Sequence, residues 1–214
     1  MSTPRAYVPA AGHDRWLKFY DPLTKLLGAP AALRTLLEQA DLRAEQHVLE
    51  IGCGTGNLTL MLKQRHPRTH VVALDPDAHA LDIARRKAER NHCEVRWIRG
   101  FGDAIPSADA AFDCVLSSFM LHHLTHDEKR ATLTDVLRVL KPGGSMHIVD
   151  FAAPGEHPRG IIARLLHRDA HLHDSAEGRI TTLLDAVGFD SVEQVAIRQT
   201  LFGPISFYRA GRAV

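Results

Sequence analysis

Residues able to do chemistry gather in one stretch, His47 to Asp77, which reads HVLEIGCGTGNLTLMLKQRHPRTHVVALDPD. Gly52, Gly54 and Gly56 are spaced GxGxG. Glycine tolerates positive φ and leaves no Cβ between main chain and ligand. Glu50 stands just before this turn, and Asp75 ends a second apolar run, Val71 to Leu74. A carboxylate at such a strand tip can hold the two hydroxyls of a ribose. An acid at Glu50 would repel a pyrophosphate but can attract an ammonium. Dinucleotide sites prefer GxGxxG, and here the third glycine comes one residue early. A ligand with ribose, ammonium and carboxylate fits better, namely S-adenosylmethionine (SAM), although the loop alone leaves a dinucleotide open.

The elements that must position these groups follow from periodicity. Val48, Leu49 and Ile51 form a short apolar run, as expected of a strand buried in a parallel sheet. A helix starts near Gly56 and ends before Pro67, so its first amides favour a negative group at the turn. A helix from about Asp77 to Arg90, a strand Cys93 to Ile98, a loop at Gly100 to Asp103 and a buried strand Phe112 to Ser117 come next. Ser118 to Leu124 is that strand's exit. An amphipathic helix spans Asp127 to Leu140, Lys141-Pro142-Gly143-Gly144 is a turn, and Ser145 to Asp150 is a fifth strand. Ser175 to Val187 is a helix stopped by Gly188. Val192 to Thr200 and Ile205 to Arg209 alternate like strands about a turn at Gly203-Pro204, so they form an antiparallel hairpin. The expected fold class is α/β: a Rossmann-like, seven-stranded, mostly parallel sheet with a C-terminal antiparallel hairpin and helices on both faces.

A chain of 214 residues suits one such domain. Residues 1–46 read as an N-terminal cap or flap, with a helix from Pro30 through Gln39 that turns Leu33, Leu36 and Leu37 to one face. Residues 47–214 read as the main domain, with 151–175 an insert that covers the acceptor. Tyr7, His13, Trp16, Phe19 and Tyr20 crowd into the arm. They either pack on the sheet or form a flap, with Tyr20 near the cofactor and the others lining an acceptor pocket. A net charge of +1 argues against nucleic acid or a membrane surface as partner. No run reaches the length of a membrane span. Three cysteines without a CxxC pair fit a reduced, cytoplasmic protein, either monomer or homodimer.

The stretches VLEIGCGTG, VVALDPD, AFDCVLSSFMLHHL and RVLKPGG resemble the successive motifs of class I SAM-dependent methyltransferases. They look most like the small-molecule branch that includes the ubiquinone/menaquinone-biosynthesis enzymes. The resemblance implies that Gly52, Cys53, Gly54 and Asn57 wrap the methionine part of SAM and that Asp75 holds the ribose; Glu50 and Leu58 are also expected to bind the cofactor. Pro76 and Asp77 would lie against or beside the adenine, and Ser117, Ser118 and Phe119 by the reactive methyl; Gly100, Phe101 and Gly102 are also expected to bind the cofactor. Relatives carry an Asp that accepts from the adenine amino group. Counting back from Phe112-Asp113, that position is Phe101, with Asp103 two residues later. Either Asp103 reaches the adenine or Phe101 packs on it, and the second is the reading adopted.

Methyl transfer from a sulfonium needs an aligned nucleophile and exclusion of water, with a base for a protonated acceptor. His122 and His123, at the carboxyl edge of the fourth strand, are the candidate bases. His167 and His171, at i and i+4, could share a helix face. They read as pocket lining, and no metal is expected. The function expected is methyl transfer from SAM to a small acceptor, aromatic or partly apolar, at oxygen, nitrogen or carbon, with S-adenosylhomocysteine as product. The alternatives are SAM binding without transfer, or a nicotinamide-dependent oxidoreductase.

Overall fold

The computed structural model describes residues 29–152, 179–200 and 203–214. Seven strands form one sheet: β1 (His47–Ile51), β2 (His70–Asp75), β3 (Arg96–Arg99), β4 (Phe112–Ser118), β5 (Leu140–Phe151), β6 (Asp190–Thr200) and β7 (Gly203–Gly211). Their order is β3-β2-β1-β4-β5-β7-β6. The first five run parallel, and β7 is antiparallel to both β5 and β6. The helices are α1 (Ala29–Ala40), α2 (Asn57–Arg65), α3 (Ala78–Arg90), α4 (His126–Val139) and α5 (Arg179–Val187). The expected seven-stranded sheet with its terminal hairpin is therefore the one observed.

Alternation along the strands divides the core. Leu49, Ile51, Val115, Met146 and Ile148 point to one face, where Leu133, Val136 and Val139 of α4 and Leu183 and Leu184 of α5 cover them. Val48, Cys114, Leu116, Val149 and Phe207 point to the other face. There they meet Leu33, Leu36 and Leu37 of α1 and Leu58 and Leu62 of α2. The i, i+3, i+4 leucines of α1 are fully or nearly fully buried, and burying such a side chain contributes about 1.5–3 kcal/mol.

The helix starts place the strand exits. Gly56, at φ 77°, turns the chain into α2. Asp77 caps α3 by accepting from the amides of His79 and Ala80. Thr125 and Glu128 form a reciprocal capping box at the start of α4. At its other end, Arg212 donates to the carbonyls of Leu137, Arg138 and Leu140. A cation is favoured at a helix C-terminus.

Three expected boundaries shift. Lys141 to Gly144 is no free turn. Phe112 pairs with Leu140 and Cys114 with Ser145, so these residues bulge out within β5. Gly143 N–H donates to Arg212 O, and Arg212 N–H to Gly144 O, which keeps the bulge tied to the C-terminal segment. Gly203 and Pro204 likewise belong to β7, paired with Thr200 and Gln199, rather than to the turn. Strand β3 is shorter than expected and begins only at Arg96.

Candidate functional site

The glycine turn leaves β1 with Gly52, Gly54 and Gly56 all in the left-handed region, at φ 67°, 49° and 77°. Each would be strained by a side chain. The turn closes largely on itself. The amides of Gly52 and Cys53 both donate to Leu74 O, and that of Gly56 to Cys53 O. Gly54 N–H donates to Asp75 Oδ2 at 2.7 Å, and Asp77 N–H to Asp75 Oδ1 at 2.8 Å. Asp75 thus ties the turn to the tip of β2. Burial pushes its carboxyl up, and the two amides partly offset this. Gly100 N–H, from the loop after β3, donates to Asp75 O. Three separate segments therefore converge on the tip of β2.

Glu50 alternates onto the face covered by α2 and accepts from the Thr59 hydroxyl. It is 1% exposed, and burial pushes its carboxyl up to about 8. Below pH 8 Glu50 is mostly neutral, and an approaching ammonium would favour its ionised form.

Several expected contacts differ in detail. Leu58 is a core side chain, 1% exposed and packed among Leu33, Leu36 and Leu62, so only its backbone can meet a ligand. Asn57 Oδ1 accepts from Lys87 Nζ of α3 at 2.7 Å, which engages it with the neighbouring helix. Ser117 is fully buried and its Oγ has no hydrogen-bond partner among the described residues, whereas Ser118 and Phe119 are half-buried at the exit. The loop at 100–103 leans on α4. A Cβ on Gly102 would lie 2.8 Å from Thr132 Cγ2, and Asp103 lines an open depression with Asp127, Arg130 and Asp135. Asp103 is thereby turned towards α4. Cys53 is buried, and Pro76 is half-buried beside Arg99, whose Nε–H donates to Pro76 O. Tyr7, His13, Trp16, Phe19, Tyr20, His167, His171 and nearly all of the 151–175 insert lie outside the described residues.

Beyond β4 the backbone is unusual. Phe119 adopts φ 50°, a strained conformation that clusters at functional sites. Met120 then lies directly over the turn, so that a Cβ on Gly52 would be 2.2 Å from Met120 Cγ. A 3-10 turn, Leu121–His123, follows. His122 Nδ1 lies 2.7 Å from Asp150 Oδ1 at the end of β5, and His122 N–H donates to Asp150 Oδ2 at 3.2 Å. Phe151 packs edge-on against the His122 ring, with centroids 4.9 Å apart. The His123 ring is tilted against it at 3.9 Å. Asp150, Phe151 and Met120 escaped the sequence reading. An acid closing the apolar run Met146 to Val149 at a carboxyl edge was the available signal for Asp150.

These residues fit a nucleoside cofactor with a charged tail. Asp77 Oδ2 is buried and accepts from no described residue, so it offers a place for hydroxyl or amino hydrogens beside Asp75. Glu50 offers a carboxylate to an ammonium. The chain matches the family described as methyltransferase domain over residues 48–144. It is 38% identical over 149 residues to a demethylmenaquinone methyltransferase of Thermus thermophilus, covering 68% of this chain and 67% of the relative. A Deinococcus radiodurans protein of the same name is 30% identical over 183 residues, covering 83% of this chain and 75% of the relative. Among solved structures, phosphoethanolamine N-methyltransferase 2 of Haemonchus contortus with SAM superposes with a TM-score of 0.77. It is 12% identical and covers 96% of this chain and 58% of that one, which speaks to the fold.

The fold, a parallel sheet with a reversed seventh strand and a left-handed glycine turn braced by an acid, is that of a class I methyltransferase. The chain belongs to this SAM-dependent family, and SAM is its cofactor. Among the described residues no helix is long and apolar enough to cross a membrane.

Proposed function

We propose that the protein methylates a small, partly apolar acceptor carrying an aromatic ring, bound at the carboxyl edge between the exits of β4 and β5. The observation that carries this reading is the aromatic group at that edge. Phe119 and Phe151 lie 5.3 Å apart and His122 meets Phe151 edge-on, which offers ring faces and edges to a flat acceptor. The relatives named demethylmenaquinone methyltransferases support a quinol-type ring.

Bound SAM supplies an electrophilic methyl on a sulfonium. The chain's part is binding and orientation. Asp75 and Asp77 offer acceptors to the nucleoside, Glu50 and the glycine turn hold the amino-acid end, and Met120 separates that turn from the acceptor edge. Holding two reactants in line is worth about 7–11 kcal/mol of a bimolecular barrier. Incubating the protein with SAM and naphthohydroquinones, catechols and simple amines, and measuring S-adenosylhomocysteine formed, tests this. Product with the ring compounds supports the proposal. Product with the amines alone, or with none, contradicts it.

A further inference from the structure

We propose that Asp150 makes His122 a proton acceptor, and that the acceptor molecule therefore enters as a hydroxyl compound whose O–H proton is lost on methylation. This rests on the methyltransferase reading of the same site. Asp150 is fully buried at the end of β5, and His122 is 9% exposed. They are 28 residues apart in sequence, and the parallel pairing of Ser117 with Ile148 and Ser118 with Val149 brings their strand ends together.

The carboxylate has three short-range partners. Asp150 Oδ1 lies 2.7 Å from His122 Nδ1 and accepts from Phe151 N–H at 2.8 Å, while Oδ2 accepts from His122 N–H. Burial by itself would raise this carboxyl. The His122 ring beside it and the two amides outweigh that and hold it below the ordinary carboxylate range. An ionised carboxylate can only accept. The 2.7 Å contact therefore requires hydrogen on Nδ1, so a neutral ring carries its lone pair on Nε2. Nε2 makes no hydrogen bond to any described residue. The ring plane is fixed by Phe151 on one side and His123 on another. The arrangement orients one nitrogen as a base, and Asp150 acts through His122 as a positioning residue.

The step balances. Nε2 takes the hydroxyl proton, and the pair left on oxygen forms the new bond to the methyl carbon. The carbon–sulfur bond breaks with its pair returning to sulfur, leaving S-adenosylhomocysteine, and the proton on Nε2 then passes to water.

The test uses the full chain saturated with S-adenosylhomocysteine. At a pH where the ring is neutral, imidazole nitrogen NMR is expected to show the hydrogen of His122 on Nδ1. Asp150→Ala should move the ring towards the Nε2–H form. His122→Gln, a variant that needs no change at the buried aspartate, should lower turnover of a naphthohydroquinone by about 10²-fold or more and flatten its pH profile. Its affinity for S-adenosylhomocysteine should stay within about threefold, since the ring is not part of the cofactor's cradle. An Nε2–H ring in the unaltered protein, or unchanged turnover and pH profile in His122→Gln, overturns the proposal while leaving the methyltransferase reading intact. Failure of the unaltered protein to bind S-adenosylhomocysteine overturns both.

Discussion

Asp75 Oδ2 accepts from Gly54 N–H at 2.7 Å, and this contact joins the tip of β2 to the glycine turn 21 residues earlier. The acid expected to serve a ribose also fixes the shape of the loop beside it. Asp75→Ala would leave the amides of Gly54 and Asp77 without their acceptor. Losing hydrogen bonds to a charged group costs about 1.5–3 kcal/mol each where the partner stays buried. Calorimetry should show affinity for S-adenosylhomocysteine reduced by at least about tenfold, with a lower Tm. An unchanged Kd would place the cofactor elsewhere.

Gly52 and Met120 form a second such pair. Gly52→Ala meets both a positive φ and the Met120 side chain 2.2 Å from the new Cβ. Overpacking of this kind typically costs about 1–3 kcal/mol. The Tm should fall, and Met120→Ala introduced alongside should recover the part due to Cγ but not the part due to φ or to the Met120 Cβ, which lies 2.7 Å from the new Cβ and remains. Thermal melts of the two single variants and the double variant read this directly. Additive losses would show that Met120 does not press on the turn.

Glu50 gives the free protein a pH dependence. Its carboxyl is raised from an ordinary 4.5 to about 8. At pH values below 4.5 it is neutral folded or unfolded. As pH rises from 4.5 to 8 the unfolded chain sheds this proton first, and stability is progressively lost until the folded state ionises too. Glu50→Gln removes that dependence. For a domain of this size about 1 kcal/mol moves Tm by roughly 2–4 °C, so the variant should melt several degrees above the unaltered protein at pH 8.5 and near it at pH 4.5. It should also bind S-adenosylhomocysteine more weakly, having lost the carboxylate for the ammonium. Parallel melting curves at both pH values would refute a neutral, buried Glu50.

His147 works in the opposite direction. Burial, with Arg209 nearby, lowers it to about 4, and its Nδ1 lies 3.1 Å from Gln39 Nε2 of α1. The unfolded chain takes up a proton near pH 6.5 and the folded one does not, so stability falls as pH drops from 6.5 to 4. His147→Gln should lessen this acid sensitivity, as measured by urea unfolding at pH 7 and pH 5. An equal loss in both proteins would contradict the assignment.

The parallel sheet, the glycine turn and the acid at the β2 tip were legible because each is written in local residue types: β1, β2 and β4 as apolar runs, the turn as three glycines, the start of α3 as Asp77, whereas the Thr125 cap of α4 was missed and that helix expected from Asp127. The bulge at Lys141 to Gly144 misled because Pro-Gly-Gly signals a turn, whereas the pairing of Cys114 with Ser145 and the tie to Arg212 keep it in the strand. Leu58 follows the turn and is expected at the cofactor, although its side chain falls on the buried stripe of α2. The partners of the polar groups were least legible. Thr59 for Glu50, Lys87 for Asn57 and Asp150 for His122 are set by which helix crosses which strand, and the residue types do not record that.

The central claim is a SAM site at the tips of β1 and β2. Calorimetric titration with S-adenosylhomocysteine, with NADH in parallel, tests it most directly. Micromolar binding of S-adenosylhomocysteine, lost in Asp75→Ala and absent for NADH, is the expected result. Binding of NADH alone would contradict the cofactor, the family's chemistry in this chain and the roles assigned to Glu50 and Asp75.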